Sequence, residues 1–161
     1  MADGGYCKVT MTFGEIYEEH APAVYRCLLA WSRNAALAEE LTSETFYRAI
    51  VAEQEVRAAT ARGYLIAIAR NVWRKQLMRR GRVGEMPVDV TAPAALSAEA
   101  RLDLERALEA ISSLPEELRE PLVLYAQGGL SYDEIAAQLE ITLAAVKIRI
   151  FRARQKLENY R

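Results

Sequence analysis

The chain is short of several things, and each shortage excludes something. It has two cysteines, Cys7 and Cys27, and no C-x-x-C spacing, which argues against a disulfide framework and against a zinc site. Its one histidine, His20, and its scattered carboxylates form no catalytic set, so neither an enzyme activity nor a metal or cofactor is expected. No apolar run approaches the roughly 18 residues needed to cross a bilayer, so no membrane insertion is expected. The opening MADGGYCKVT has no basic segment leading into an apolar stretch. It therefore does not read as a signal peptide, and a reducing cytoplasm is the expected compartment. No stretch alternates apolar and polar residues for long enough to make a strand. Charge of one sign is also missing, because 21 basic residues face 22 acidic ones for a net charge of −1.

What is present reads almost entirely as helix. Thr12 to Glu15 is T-x-x-E, a capping box. Behind it Phe13, Ile16, Tyr17, Val24, Leu28 and Trp31 recur at helical spacing, so residues 1–11 are expected to be a mobile tail. A second helix is expected over Ala35 to Val51 with Leu37, Leu41, Thr45, Phe46 and Ile50 inward. A third is expected over Ala61 to Arg80 with Leu65, Ile68, Val72 and Leu77 inward. These make a first domain over residues 12–80.

Gly81, Gly84, Pro87 and Pro93 then break the pattern, so residues 81–96 are expected to be a flexible linker. The second domain is expected over residues 97–161. Ser97 caps a helix to about Ile111. Pro115 suits a first helical position, with Glu116 and Glu117 in the positive first turn. That helix is expected to stop at Gly128-Gly129 and to kink or break at Pro121. Ser131 to Glu134 is a second capping box opening a short helix to about Leu139. Thr142 caps a last helix to about Asn159.

Two short helices across a three-residue turn form a helix-turn-helix. Ile135, Ala136 and Leu139 are expected to face Ile141, Val146 and Ile150, while Lys147, Arg149, Arg152, Arg154 and Lys156 occupy the other side. Residues 141–157 contain no acid, which suits a phosphate-lined groove. The same pattern also fits a bundle helix with a solvated basic face. A second acid-free segment, Val56 to Gly84, carries Arg57, Arg62, Arg70, Arg74, Lys75, Arg79, Arg80 and Arg82 with Tyr64 and Trp73 interleaved. Cations bind the phosphate backbone and aromatic rings stack unpaired bases, a combination suited to melting DNA. A solubilising helix face around a half-buried tryptophan is the plainer reading. Thirteen of the 21 basic residues lie in these two segments, with acids gathered at Glu15, Glu18, Glu19, Glu39, Glu40 and Glu44. Such segregation suggests nucleic acid on some faces and a protein partner on others.

With these motifs in order, the chain resembles the extracytoplasmic-function (ECF) sigma factors, the minimal members of the main bacterial sigma family. Ala38 to Ile50 resembles the family's polymerase-binding helix, which implies docking roles for Glu39, Glu40, Leu41, Thr42, Glu44 and Phe46. Gly63 to Arg80 resembles the segment that opens and reads the minus-ten element, with Arg70, Asn71, Trp73 and Arg74 in its most characteristic stretch. The loop from Glu53 to Arg57 resembles the one that holds a flipped base. Leu114 to Tyr125 and Gly129 to Leu157 resemble the minus-thirty-five reader.

The resemblance implies an all-α protein of two small helical domains, region two and region four, acting as a transcription-initiation factor. Its implied partners are core RNA polymerase, promoter DNA and an anti-sigma factor. Arg57, Arg70, Asn71, Trp73, Arg74, Lys75, Arg79 and Arg80 would serve the minus-ten element. Thr142, Ala144, Ala145, Lys147, Ile148, Arg149, Arg152 and Arg154 would serve the minus-thirty-five element. Glu85 and Asp89 of the linker would imitate nucleic-acid charge inside the polymerase.

Several positions depart from the family pattern. Lys75 replaces a usual Asp, Ser43 a usual Gln, Ala144-Ala145 a usual Gly-Thr, Ile148 a usual Ser, and Glu140 the usual turn Gly. The recognition face is therefore more apolar than is typical, and Ala and Ile contact thymine methyl groups without hydrogen bonds. These departures leave open an unusual promoter sequence and a weakened upstream binding. They also leave open a sigma mimic that binds an anti-sigma factor and never touches promoters.

Overall fold

A computed structural model describes residues 11–52, 60–83 and 93–160, and among them finds seven helices and no strand ladder. They are α1 (Phe13–Ser32), α2 (Ala35–Val51), α3 (Ala61–Val83), α4 (Ala98–Ser113), α5 (Glu116–Ala126), α6 (Tyr132–Leu139) and α7 (Leu143–Glu158). The expected tail over residues 1–10, the loop at 53–59 with Arg57, and linker residues 84–92 lie outside the described residues.

Local chemistry sets most helix ends. Thr12 and Glu15 exchange capping hydrogen bonds, Glu15 N to Thr12 Oγ1 at 3.3 Å and Thr12 N to Glu15 Oε2 at 2.8 Å. α1 ends on Arg33 in the left-handed region (φ 56°), and Asn34 at once caps α2 by accepting from the Leu37 N–H at 3.0 Å. Ser97, Ser131 and Thr142 cap α4, α6 and α7 as their sequence positions predict. Two ends differ. Pro115 is the N-cap of α5, with ψ 143°, and not its first helical residue. α3 runs on through Val83, past the expected end at Arg80, because a glycine inside a helix costs only about 1 kcal/mol and does not by itself end it.

Of the kink or break expected at Pro121, the break does not form, and α5 is one helix over Glu116–Ala126. The proline ring frees only the carbonyl one turn back, that of Glu117, which is exposed. Pro121 itself is buried with Leu118, Leu122, Val123 and Leu124, and that packing holds the helix together.

α1, α2 and α3 pack on one another around Val24, Leu28, Leu41, Phe46, Leu65, Ile66 and Ala69. Thr42 and Thr45 are buried there, each hydroxyl donating to the carbonyl four residues back, Ala38 O at 2.6 Å and Leu41 O at 2.8 Å. A buried hydroxyl so paired avoids the cost of an unsatisfied polar group. Four residues expected inward are exposed instead, namely Phe13, Tyr17, Ile50 and Leu77. Phe13 and Tyr17 stand around the edge of the Phe46 ring, with centroids 6.2 and 4.8 Å away. They sit at the first turns of α1, where no third helix covers them.

In the second half α5, α6 and α7 pack around Leu124, Leu130, Ile135, Val146 and Ile150. The two halves then share a boundary in which α1 meets α4 and α5. There the Cys27 Sγ lies 4.0 Å from the Val123 carbonyl, and Gln138 Nε2 donates to Gly63 O at 2.8 Å. Burial pushes the Cys27 thiol up to about 12, so it is no nucleophile at neutral pH.

Gly128 is required at this boundary. A Cβ built on it would sit 2.6 Å from Leu124 O and 3.3 Å from Cys27 Sγ. Gly128→Ala is therefore expected to destabilise the chain by about 1–3 kcal/mol, the range for overpacking a filled site. A lowered urea midpoint with unchanged slope would show it, and an unchanged midpoint would mean the boundary is loose.

His20 is buried, and neither ring nitrogen has a hydrogen-bond partner. Burial lowers its pKa below 6.5, Glu19 partly opposes the shift, and Arg62 adds to it. A histidine whose folded pKa is depressed contributes stability that is present above its unfolded pKa of about 6.5 and is lost as pH falls through the folded value. The urea midpoint is expected to drop on acidification below about pH 6.5, and His20→Phe should remove that part of the drop.

Candidate nucleic-acid interfaces

The last two helices are built to present one face. α6 opens on a capping box, Ser131 N to Glu134 Oε2 at 2.9 Å and Glu134 N to Ser131 Oγ at 3.2 Å. The turn passes through Glu140 in the left-handed conformation, φ 55°. This is a position where glycine is favoured, and a residue with a Cβ costs roughly 1–2 kcal/mol. Thr142 accepts from the Ala145 N–H at 3.1 Å and starts α7. α7 buries Val146, Ile150 and Ala153, so its opposite side faces out. Of the expected upstream set, Thr142, Ala144, Lys147, Ile148, Arg152 and Arg154 are exposed, while Ala145 and Arg149 are half-buried at the flanks. The Arg154 guanidinium lies 5.3 Å from the centre of the Tyr125 ring, and Tyr125 packs on Tyr132 at 5.0 Å. That contact fixes the direction of one cation. Phe151, 61% exposed, also lies on this face. It went unnoticed in the sequence because a phenylalanine in an amphipathic helix reads as core. Its place opposite Val146 and Ile150 was the available signal.

The expected minus-ten residues divide between two faces of α3. Asn71 and Lys75, one turn apart, line an open cleft of about 410 Å³ whose far side is Tyr47, Arg48 and Val51. Arg70, Trp73 and Arg74 lie on another face, which turns toward α5. Arg70 pairs with Glu120 of α5, and Arg74 lies 3.9 Å from the same carboxylate. The Arg70 side chain is only 14% exposed. Arg79 is exposed and Arg80 half-buried farther along α3. Helical spacing explains the division, because positions 70, 73, 74 and 77 share one stripe and positions 71 and 75 another.

The expected polymerase-binding set also divides. Glu39 and Glu40 are exposed, and Glu44 is half-buried in an ion pair with Arg48 at 2.7 Å. Leu41, Thr42 and Phe46 are core residues. They hold α2 against α1 and α3 and do not lie on its outer face. The outward surface of α2 is instead Glu39, Glu40, Ser43 and Tyr47.

Among the described residues, no cluster of histidine, cysteine or carboxylate groups has the makings of a metal site. No described helix is long and apolar enough to cross a membrane.

Comparison with known proteins identifies the family. Residues 16–83 match the family model for sigma-70 region 2, and residues 104–157 match that for sigma-70 region 4. The chain thus belongs to the sigma-70 family. Within it the chain is 36% identical to the ECF RNA polymerase sigma factor SigE of Mycolicibacterium smegmatis, over 92% of this chain and 61% of that one. It is 31% identical to the ECF RNA polymerase sigma factor SigM of Bacillus subtilis, over 92% of this chain and 94% of that one. It is therefore a member of the ECF sigma factors, which are transcription-initiation factors and not enzymes. The chain spans under two thirds of the SigE relative's length.

Two solved structures are alike in fold. One is CnrH in complex with the cytosolic domain of CnrY, with TM-score 0.70 and 28% identity over 91% of this chain and 85% of that one. The other is the sigma factor RpoE in complex with the anti-sigma factor NepR from Bartonella quintana, with TM-score 0.77 and 24% identity over 92% of this chain and 95% of that one.

If α7 lies in a DNA groove, its exposed cations displace counterions. Lys147→Ala and Arg152→Ala are each expected to weaken duplex binding on any sequence, and each to reduce the slope of log K against log salt by about 0.9. Filter or anisotropy titrations at several salt concentrations check this, and an unchanged slope would place those side chains off the phosphates.

Proposed function

We propose that the chain binds core RNA polymerase and directs it to promoters, with residues 12–80 serving the minus-ten element and residues 97–161 the minus-thirty-five element. The single observation that carries this reading is α7. It buries Val146, Ile150 and Ala153 and turns Lys147, Arg152 and Arg154 outward with no acid between Ile141 and Leu157. Glu39, Glu40 and the half-buried Glu44 give α2 an acidic outer side for the polymerase. Asn71 and Lys75 border the cleft between α2 and α3, large enough for an unstacked base, and Tyr64 supplies an aromatic wall.

Melting that uses Arg70 requires α5 to leave α3, because Glu120 occupies its guanidinium in this arrangement, while Trp73 and the exposed Arg74 flank it on the same stripe. The boundary between the halves includes a polar contact, Gln138 Nε2 to Gly63 O, and domain boundaries of polar character suit relative motion. An anti-sigma factor that holds the halves together would keep Arg70 paired with Glu120. Of the two solved structures, RpoE is in complex with the anti-sigma factor NepR and CnrH with the cytosolic domain of CnrY. A second reading is a sigma mimic that takes an anti-sigma factor and no promoter. It is favoured by the apolar Ala144, Ala145 and Ile148 on the face of α7.

Run-off transcription separates the two. Core polymerase, this protein and a library of fragments from its own genome are expected to give transcripts with defined starts only when the protein is added. Arg74→Ala, an exposed side chain, is expected to lower their yield about tenfold or more, the loss of one charge-assisted contact. Core binding without any transcript would favour the mimic.

A further inference from the structure

The exposed face of α7 is not uniformly basic. Ala144, Ile148 and Phe151 follow one another at intervals of four and three residues, which places them in a line along the helix. That line lies opposite the buried Val146, Ile150 and Ala153. Ile148 is 50% exposed and Phe151 61% exposed. Cations flank the line on both sides, Lys147 and Arg154 on one and Arg149 and Arg152 on the other. Arg154 is held toward its own side by the Tyr125 ring at 5.3 Å. The outermost part of the helix is thus an apolar ridge between two rows of positive charge.

We infer that this ridge reads thymine methyl groups, and that Ile148 and Phe151 determine upstream specificity by apolar contact rather than by hydrogen bonds. The inference rests on the reading of α7 as the helix that enters the major groove. The groove has phosphate walls, which the flanking cations match in charge and position. Its floor carries one apolar group among the four bases, the thymine C5-methyl. The side chains of Ala144, Ile148 and Phe151 neither donate nor accept hydrogen bonds, so polar edges of guanine, cytosine or adenine facing them would lose water without a replacement partner. A thymine methyl has no such loss, and its burial against Ile148 or Phe151 is favourable. From Ala144 to Phe151 the ridge is about 10 Å long at about 1.5 Å per residue. That length covers roughly three base pairs at about 3.4 Å each. The site is therefore expected to present thymine, on either strand, at two or three adjacent pairs.

The test uses the holoenzyme formed from core polymerase and the full chain. Upstream duplexes are first selected by transcription from a pool randomised only in the upstream region. Each dT of the selected element is then replaced by dU, which removes the methyl and leaves base pairing intact. Wild-type occupancy is expected to fall about fourfold at each contacted methyl, the factor for one buried CH₂-sized group. Ile148→Ser and Phe151→Ser sit on exposed positions and are expected to leave the fold, by circular dichroism, and the salt dependence unchanged. Each should abolish the distinction between dT and dU at its own pair. If dU is bound as well as dT while the selected element still directs a defined start, apolar readout is overturned and the initiation reading stands. The same follows if selection returns a G·C element. If no template is transcribed at all, both readings fall together.

Discussion

Everything in this fold depends on α1 being buried on more than one side. From Ala23 onward it buries Val24, Cys27, Leu28, Leu29 and Ala30 almost without interruption. An amphipathic helix has one stripe to bury, whereas a helix apolar around most of its circumference must find partners on several sides. α2 and α3 cover one side and α4 and α5 another. Small residues make this possible, since Ala23 and Ala30 allow near neighbours and Gly128 brings its backbone against Cys27. His20 lies in the same helix as a polar group with no partner, and its burial is a local weakness accepted by the surrounding packing.

This shared helix explains why the basic and aromatic side chains of α3 are divided between two faces. With α5 seated on α1, the acid Glu120 lies over the α3 stripe that carries Arg70 and Arg74. A half-buried guanidinium without a carboxylate would be costly, so the pair is a condition of the closed arrangement. The neighbouring stripe with Asn71 and Lys75 stays open on its cleft. One helix thus carries one stripe open to solvent and another on which Arg70 is covered by Glu120 while the halves stay together.

The second half shows a different economy. Its local signals agree with one another: two capping boxes or caps, a short turn and a strict buried line at Val146, Ile150 and Ala153. Agreement of that kind specifies a rigid element, and a rigid element is what groove reading needs. The unusual features, Glu140 in a left-handed turn and the exposed Ile148 and Phe151, lie on the surface where stability does not require them.

The sequence by itself determined the helices. Thr12, Asn34, Ser97, Ser131 and Thr142 act on the next three residues, so their caps are legible without tertiary information. The buried lines of α6 and α7 were legible for the same reason, because a single stripe at helical spacing has one inner side. Only the tertiary structure decided which apolar residues of α1, α2 and α3 are covered. Phe13, Tyr17, Ile50 and Leu77 have the right spacing but are exposed, while Leu41 and Phe46, of the same spacing, are covered. It alone decided that Pro121 stays inside an unbroken α5, since packing on Leu118 and Leu122 outweighs the missing donor. It alone joined Arg70 to Glu120, fifty residues away. Periodicity records which side of a helix is apolar, and only the positions of the other helices determine what that side meets.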